Sequence, residues 1–383
     1  LKIVADENIP YVREAFAGLG EVVTAQGRSM TAETVKDADL LMVRSVTKVN
    51  RDLLDGSKVR FVATATIGED HLDKVYLQEK GVVYASAPGS NANSVAEYIT
   101  SALLRLANHF EFELAGKTLG IVGVGNVGSR VAKKAEALGM RCVLNDPPLA
   151  NATGDPKYRP IGEIYNCDIV TFHVPLIKEG SHPTYHMADD AFLHFLNRGA
   201  IVLNSSRGAV VNNKALAKAL DDGHIKAAVL DVWEGEPAID TGLLERVFLG
   251  TPHIAGYSFD GKVNGTRQIY EAACKFLGVE ADWDPAPLLP KPEEPVVTVD
   301  GSLESVQEAV SRAVFAVYDI RRDDAALRET YRMSPSERPA WFDRLRKEYP
   351  RRREFYNFTA RIWPPNHAVH ERLSALGFQC KDE

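Results

Sequence analysis

Two α/β units built on parallel sheets, with an α+β segment added at the C-terminus, are what the 383-residue sequence predicts. Three observations carry the prediction. Short unbroken apolar runs alternate with stretches of helical period through most of the chain, the rhythm of parallel sheets covered on both faces. A long helix-like segment, residues 92–110, separates two such series. A proline-rich stretch, "WDPAPLLPKPEEPVV", then closes them off, since proline supports neither a helix interior nor an internal strand.

In the first series "KIVAD", "LLMVRS", "RFVATAT" and "GVVYASA" read as strands, separated by helix-like or polar stretches. "ANSVAEYITSALLRLANHF" carries apolar residues at helical spacing. The second series offers "TLGIVGVG", "RCVLND", "CDIVTFHV", "AIVLNSS" and "AAVLDVW", with "FLGTPHIAGYS" closing the unit. A helical stretch, "GKVNGTRQIYEAACKFLGV", leads into the prolines. Beyond them stand an apolar helix in "LESVQEAVSRAVFAVYDI" and a basic, aromatic stretch, "RPAWFDRLRKEYPRRREFYNF". The expected domains are 1–92 with 257–284, 93–256, and 285–383.

The bulk numbers exclude several classes. A net charge of −7 argues against a general nucleic-acid or anionic-membrane surface. No apolar run approaches the ~20 residues of a spanning helix. The four cysteines, Cys142, Cys167, Cys274 and Cys380, stand far apart and form no C-x-x-C pair or disulfide framework. The N-terminus opens as an apolar strand rather than as a signal peptide. A cytoplasmic protein that binds neither nucleic acid nor membrane is expected.

Gly123-Val124-Gly125-Asn126-Val127-Gly128 is a GxGxxG between a strand and a helix. In that context Gly123 allows the turn, Gly125 lets a pyrophosphate approach the backbone, and Gly128 lets the helix pack on the strand. The helix N-terminus contributes N–H groups and the positive end of its dipole. Asp146, after the next strand, stands where an acid accepts the ribose hydroxyls and repels a 2′-phosphate, which favours NAD over NADP. Both α/β units are therefore expected to be Rossmann-like, the second holding NAD.

Three further motifs stand at strand-to-loop junctions: "NSSRGAVVN" with Arg207, "LDVWEGEP" with Glu236 and "TPHIAGYS" with His253. Arginine's fork suits a carboxylate, histidine suits proton transfer near neutral pH, and a carboxylate beside the imidazole fixes its tautomer. Singly each residue has an ordinary structural explanation; after a dinucleotide fingerprint, on successive loops, they form a catalytic set. His182 and His186 in "HPTYH" are four apart, but the intervening proline and the missing third ligand argue against a metal, and none is expected.

Together these motifs resemble the D-isomer-specific 2-hydroxyacid dehydrogenase family over residues 1 to about 283. The resemblance implies that Arg207 binds and polarises the substrate, Glu236 pairs with the imidazole, and His253 is the acid/base. It further implies that Asp231 contacts the nicotinamide carboxamide and that Gly256 lies beside the nicotinamide. Glu234 has no role in that pattern and is expected to face water. Where the family carries GxGxD, this chain has Thr66-Ile67-Gly68-Glu69-Asp70, and Thr66 is expected to reach a substrate oxygen. Tyr257 falls near the base, and Arg44 and Ser45 in "VRSVTKVN" are offered as anion donors.

The resemblance carried by "RSVTKVN", "ATATIGEDH", "HIAGYSFDGK" and the proline-linked C-terminal extension implies a small hydroxy acid that also carries a phosphate, a group that arginine clusters favour. The C-terminal segment is implied to be a dimerisation domain, making a homodimer. Its basic run, Arg344, Arg346, Lys347 and Arg351 to Arg353, reads either as a solvated surface or as a source of one arginine for the substrate phosphate, with Arg346 the first candidate. Two other readings stay open at this point: a dehydrogenase of the same family for another substrate, and an NAD-sensing binding protein.

Overall fold

The computed structural model describes residues 1–382. It divides into two compact units, Leu1–Ala92 with Ser258–Lys291, and Asn93–Tyr257 with Pro292–Glu383. The C-terminal segment thus belongs to the second unit.

In the first unit β1 (Lys2–Asp6), β2 (Glu21–Ala25), β3 (Leu40–Val43), β4 (Phe61–Thr64) and β5 (Val83–Ala85) form a parallel sheet in the order β2-β1-β3-β4-β5. The central strands β3 and β4 are buried at every residue, as their unbroken apolar sequences require, while the edge strands β2 and β5 are partly exposed. β1 pairs with both β2 and β3, so the strand order reverses there. Ligands of such sheets bind outside the carboxyl ends of the strands at the reversal. Asp6 ends β1, Arg44 directly follows β3, and Thr66 follows β4.

The second unit holds β6 (Thr118–Val122), β7 (Arg141–Asn145), β8 (Ile169–Phe172), β9 (Ala200–Asn204), β10 (Ile225–Leu230) and β11 (Leu249–Gly250), all parallel, in the order β11-β10-β9-β8-β6-β7. Here the reversal falls between β6 and β8, where the glycine loop begins. Both units are Rossmann-like. The helix Ala92–Phe110 is buried over most of its surface, the polar Ser94, Glu97, Thr100 and Ser101 included.

A third, smaller parallel sheet comes from the C-terminal segment: β12 (Val296–Asp300), β13 (Thr359–Trp363) and β14 (Gln379–Asp382), in the order β12-β13-β14. Side chain to backbone bonds tie this segment to the second unit. Gln307 Oε1 accepts from the Leu114 N–H at 2.8 Å while its Nε2 donates to the Phe112 carbonyl at 3.0 Å. Leaving either backbone group buried without a partner would cost about 1–3 kcal/mol. Arg328 donates to the Leu244 and Val247 carbonyls, both at 2.9 Å, and Asp324 accepts from Gly250 N–H at 2.8 Å, which fixes the segment to the edge beside β11. Among the described residues no helix is long and apolar enough to cross a membrane.

Candidate active site

The glycine loop has a separate physical reason at each of its three glycines. Gly123 sits at φ +89°, and a Cβ there would meet the His173 carbonyl oxygen at 2.8 Å. A Cβ on Gly128 would come within 2.0 Å of the Gly123 carbonyl oxygen, so no side chain fits between helix and strand. At Gly125 a Cβ would meet nothing within 4 Å, which leaves open space over the backbone at the start of the Asn126–Ala137 helix. That is the surface a pyrophosphate requires, with Asn126 and Val127 opening the helix. The residues present fit a dinucleotide.

Asp146 shapes this loop as well as bordering it. Its Oδ2 accepts from the Val124 N–H at 2.8 Å and its Oδ1 caps the next helix through the Leu149 N–H at 3.0 Å. His173, at the end of β8, was not singled out by the sequence reading. Its Nε2 lies 3.0 Å from Thr171 Oγ1 and its Nδ1 3.5 Å from Ser205 Oγ, and burial pushes its pKa down to about 3, so the ring stays neutral. The only available signal was its place one residue past an apolar strand, which many polar residues share.

The loops after β9, β10 and β11 are stitched together. Asn204, buried at the end of β9, donates to the Arg207 carbonyl at 2.9 Å and accepts from the Ser206 N–H at 3.1 Å, which turns the chain tightly. Arg207 Nη1 donates to the Ser206 carbonyl at 2.8 Å. A Cβ on Gly208 would fall 2.0 Å from the Trp233 carbonyl oxygen, so the Arg207 loop lies directly against the "LDVWEGEP" loop.

Within that loop the three acids have three different partners. Asp231, 1% exposed, accepts from Thr251 Oγ1 (2.7 Å), Ile254 N–H (2.8 Å) and Ala255 N–H (2.9 Å), and its carbonyl accepts from the His253 N–H at 2.7 Å. Burial raises its pKa, and these donors and His253 oppose that. The bonds hold His253 at φ +57°, a left-handed conformation that a histidine does not adopt without support.

Glu236 Oε2 meets His253 Nδ1 at 2.8 Å, while its Oε1 accepts from the Trp233 N–H at 2.8 Å. Burial works to raise the Glu236 pKa, but His253, the Trp233 N–H and Arg346 together hold the carboxyl below its ordinary value. The carboxylate is thus ionised and aimed at one ring nitrogen, leaving the other nitrogen to serve a substrate. Glu234, expected to face water, does not. It pairs with His186 Nε2 at 2.5 Å and accepts from the Asn213 N–H at 2.8 Å. Two elements that meet the loop only in the folded chain cover this acid, and no local pattern announces them.

In the first unit Arg44 Nε donates to buried Asp6 Oδ2 at 3.0 Å, and Ser45 is exposed beside it. The Thr66 hydroxyl lies 2.8 Å from Thr64 Oγ1 and 3.3 Å from the Gly68 carbonyl, and Thr64 Oγ1 in turn lies 3.0 Å from His71 Nε2. Lys262 is a residue that the sequence reading passed over. It stands in the first turn of the Phe259–Leu277 helix, and burial, with Arg44 nearby, pushes its ammonium down to about 8. A lysine at the positive end of a helix dipole and near an arginine is an arrangement that a bound anion relieves. Only the spacing of one lysine within an amphipathic helix hinted at it.

Tyr257 is half-buried, and its ring meets Tyr349 edge-on at 5.7 Å and 86°. The guanidinium of Arg346 lies 5.9 Å from the Tyr257 ring centre. The basic run is therefore not one solvated surface. Arg344, Lys347 and Arg351 are exposed, whereas Arg352 and Arg353 are buried. Arg352 donates to the Ser94 carbonyl at 2.6 Å and lies over the Tyr318 ring at 4.0 Å.

Comparison with known proteins agrees with this geometry. Residues 92–255 match the family model described as D-isomer specific 2-hydroxyacid dehydrogenase, NAD binding domain, and residues 288–377 match a domain of unknown function. The chain is 49% identical over 379 residues to an erythronate-4-phosphate dehydrogenase of Cronobacter sakazakii, covering 99% of this chain and 98% of that protein. It is 46% identical over 382 residues to an erythronate-4-phosphate dehydrogenase of Escherichia coli O157:H7, covering 100% and 97%. The chain belongs to the erythronate-4-phosphate dehydrogenase family, a branch of the D-isomer-specific 2-hydroxyacid dehydrogenases.

Among solved structures, the NAD⁺-bound 3-phosphoglycerate dehydrogenase of Entamoeba histolytica is similar at a TM-score of 0.63 and 26% identity, over 74% of this chain and 98% of that one. The TT0316 protein of Thermus thermophilus is similar at a TM-score of 0.63 and 25% identity, over 73% of this chain and 98% of that one. Family members of this branch are NAD-dependent oxidoreductases, and the glycine loop described above is that of the matched NAD-binding domain.

Proposed function

We propose that this chain oxidises 4-phospho-D-erythronate at C2 to (R)-3-hydroxy-2-oxo-4-phosphooxybutanoate with NAD, a step in pyridoxal 5′-phosphate synthesis. The observation that carries the chemistry is the 2.8 Å contact between an ionised Glu236 and His253 Nδ1, on a loop braced by Asp231. Gly123 to Gly128 and Asp146 would hold NAD, with Asp231 and Gly256 towards its nicotinamide, and NAD held there would supply the acceptor for a hydride from C2.

His253 takes the C2 hydroxyl proton on the ring nitrogen opposite Glu236. Glu236 keeps that tautomer and offsets the charge that develops on the imidazole. Arg207 draws on the carboxylate and on the oxygen becoming a carbonyl, its fork suited to both. Arg44, tethered through Nε to Asp6, with Ser45, Thr66 and Lys262, is assigned to the anionic ends of the substrate. Tyr257 is the remaining substrate contact. Lys262 and Arg44 form the phosphate pole.

The oligomer is proposed to be a homodimer formed through the C-terminal segment, with exposed Trp363 and Tyr356 as part of the contact. The four free cysteines suit a reducing, cytoplasmic compartment. The deciding experiment is NADH formation from 4-phospho-D-erythronate compared with D-erythronate. Turnover that strongly favours the phosphorylated acid is expected. Equal turnover of both, or preference for 3-phosphoglycerate, overturns the substrate assignment, and no hydride transfer to any 2-hydroxy acid overturns the enzymatic one.

A further inference from the structure

The segment matched only by a domain of unknown function lies against the catalytic loops of its own unit. Arg346 belongs to the helix Arg338–Lys347, well inside residues 288–377. Its side chain is 20% exposed, it covers the Tyr257 ring, and its charge acts on Glu236. Burial works against its protonation, yet Tyr257 and Glu236 more than offset this, so the guanidinium stays charged. The opposite support of Tyr257 comes from the same segment. Tyr349 meets its ring edge-on, and the Tyr349 and Tyr318 hydroxyls both donate to Asp323 Oδ2, at 3.0 and 2.8 Å. Tyr257 directly follows Gly256 on the catalytic loop, where its backbone alone does little to fix the ring. Two residues of the C-terminal segment therefore flank that ring.

We propose that Arg346 is a positioning residue for the reaction: it holds Tyr257 beside the catalytic loop and sets the charge balance of the Glu236–His253 pair. The C-terminal segment is then part of the active site in addition to any part in assembly. This rests on the acid/base reading of Glu236 and His253 given above. Arg346 and His253 act on Glu236, His253 acts on Asp231, Asp231 acts on Asp323, and Tyr257 and Glu236 act on Arg346, while the Arg207 loop packs against the same stretch at Gly208 and Trp233. Arg346 is a cation whose charge reaches Glu236, and a cation near the pair opposes formation of the imidazolium.

The test uses full-length protein, NAD and 4-phospho-D-erythronate, with Arg346→Met, Arg346→Lys, Tyr257→Phe and the Met/Phe double variant. Arg346→Met should lower kcat roughly 10- to 100-fold, the scale of a misplaced substrate contact. It should also move the acid limb of the kcat/KM profile up by about half to one pH unit, because the imidazolium is then less opposed. Arg346→Lys, which keeps the charge, should leave that limb in place while recovering part of the rate. The double variant should be no slower than the worse single one, as expected of residues that act as a unit.

Wild-type kinetics in Arg346→Met overturn the proposal. So do a rate loss with an unmoved limb, or full additivity with Tyr257→Phe. His253→Ala run in parallel separates the two levels: if it retains turnover the acid/base reading itself has failed, whereas a silent His253→Ala beside an unaffected Arg346→Met removes only the role of Arg346.

Discussion

Replacing Glu236 by Gln removes one charge from the catalytic pair and little else. The amide oxygen can still accept from the Trp233 N–H, which Glu236 Oε1 meets at 2.8 Å, so the loop keeps one of its braces. What is lost is the carboxylate 2.8 Å from His253 Nδ1. Two unit charges about 4 Å apart interact by about 4 kcal/mol at an effective dielectric constant near 20. The side chains are 20% and 33% exposed, so solvent screening takes roughly half of that, leaving about 2 kcal/mol. At 1.36 kcal/mol per tenfold, that is about 30-fold in the stability of the charge that develops on the ring. The acid limb of kcat/KM for oxidation should therefore move down, opposite in sign to the Arg346→Met shift. The imidazolium formed as the hydroxyl proton is taken loses the same support, so kcat should fall about 30-fold from charge alone, and further where the wrong tautomer forms. The assay is initial NADH formation from pH 5 to 9, with NAD affinity measured separately by fluorescence. A rate loss of this size with a fixed limb would refute the reasoning and reduce Glu236 to a brace for the Trp233 turn.

His253→Ala should lower turnover by roughly 10² to 10⁴-fold with NAD affinity unchanged; an alanine variant that keeps most of its rate rules His253 out as the base. Lys262→Met should raise KM for 4-phospho-D-erythronate at least tenfold while leaving D-erythronate turnover as it is, and equal effects on both acids would place Lys262 away from the phosphate. Since burial, with Arg44 nearby, pushes the Lys262 ammonium down to about 8, wild-type kcat/KM for the phosphorylated acid should decline above pH 8, and Lys262→Arg should abolish that decline. Buried Glu97 has its pKa raised by desolvation first and by Glu354 second. A carboxyl whose folded value lies above its unfolded value of about 4.3 binds more protons when folded, so its contribution is fully present below pH ~4 and is lost as pH rises through the folded value. Glu97→Gln should accordingly flatten the fall of Tm between pH 5 and 8; an unaltered slope there would show that Glu97 does not set it.

The sheets were legible because their central strands are buried on both faces. β3, β4, β8 and β9 have no exposed residue, and their sequences are continuous apolar runs. β2 escaped for the same physical reason in reverse. As an edge strand with sequence EVVTA it is only partly buried, so no long apolar run marks it. The glycine loop was legible down to the purpose of each glycine, since turn, open approach and close packing are all backbone requirements. Lys262 was hidden because its meaning depends on Arg44, more than two hundred residues earlier. The attachment of the C-terminal segment to the second unit was equally hidden. It runs through pairs such as Gln307 with Leu114 and Arg328 with Leu244, which no periodicity encodes.

The acids of "LDVWEGEP" show how far a motif determines chemistry. All three carboxylates are engaged, yet only one of them meets the imidazole ring itself. Asp231 binds the N–H groups that bring His253 into a left-handed turn, Glu234 fastens the loop to His186 and to the Asn213 N–H, and Glu236 alone meets the ring nitrogen. Proton transfer at a fixed place needs a rigid base, and the two other acids supply rigidity. Neutralising Asp231 weakens charge-assisted bonds to a buried loop, so its loss should disturb His253 at every pH, whereas losing Glu236 changes which pH suits the reaction. The distinction follows from which atoms each oxygen touches. It separates residues that place the base from the one that tunes it, within a stretch of eight residues.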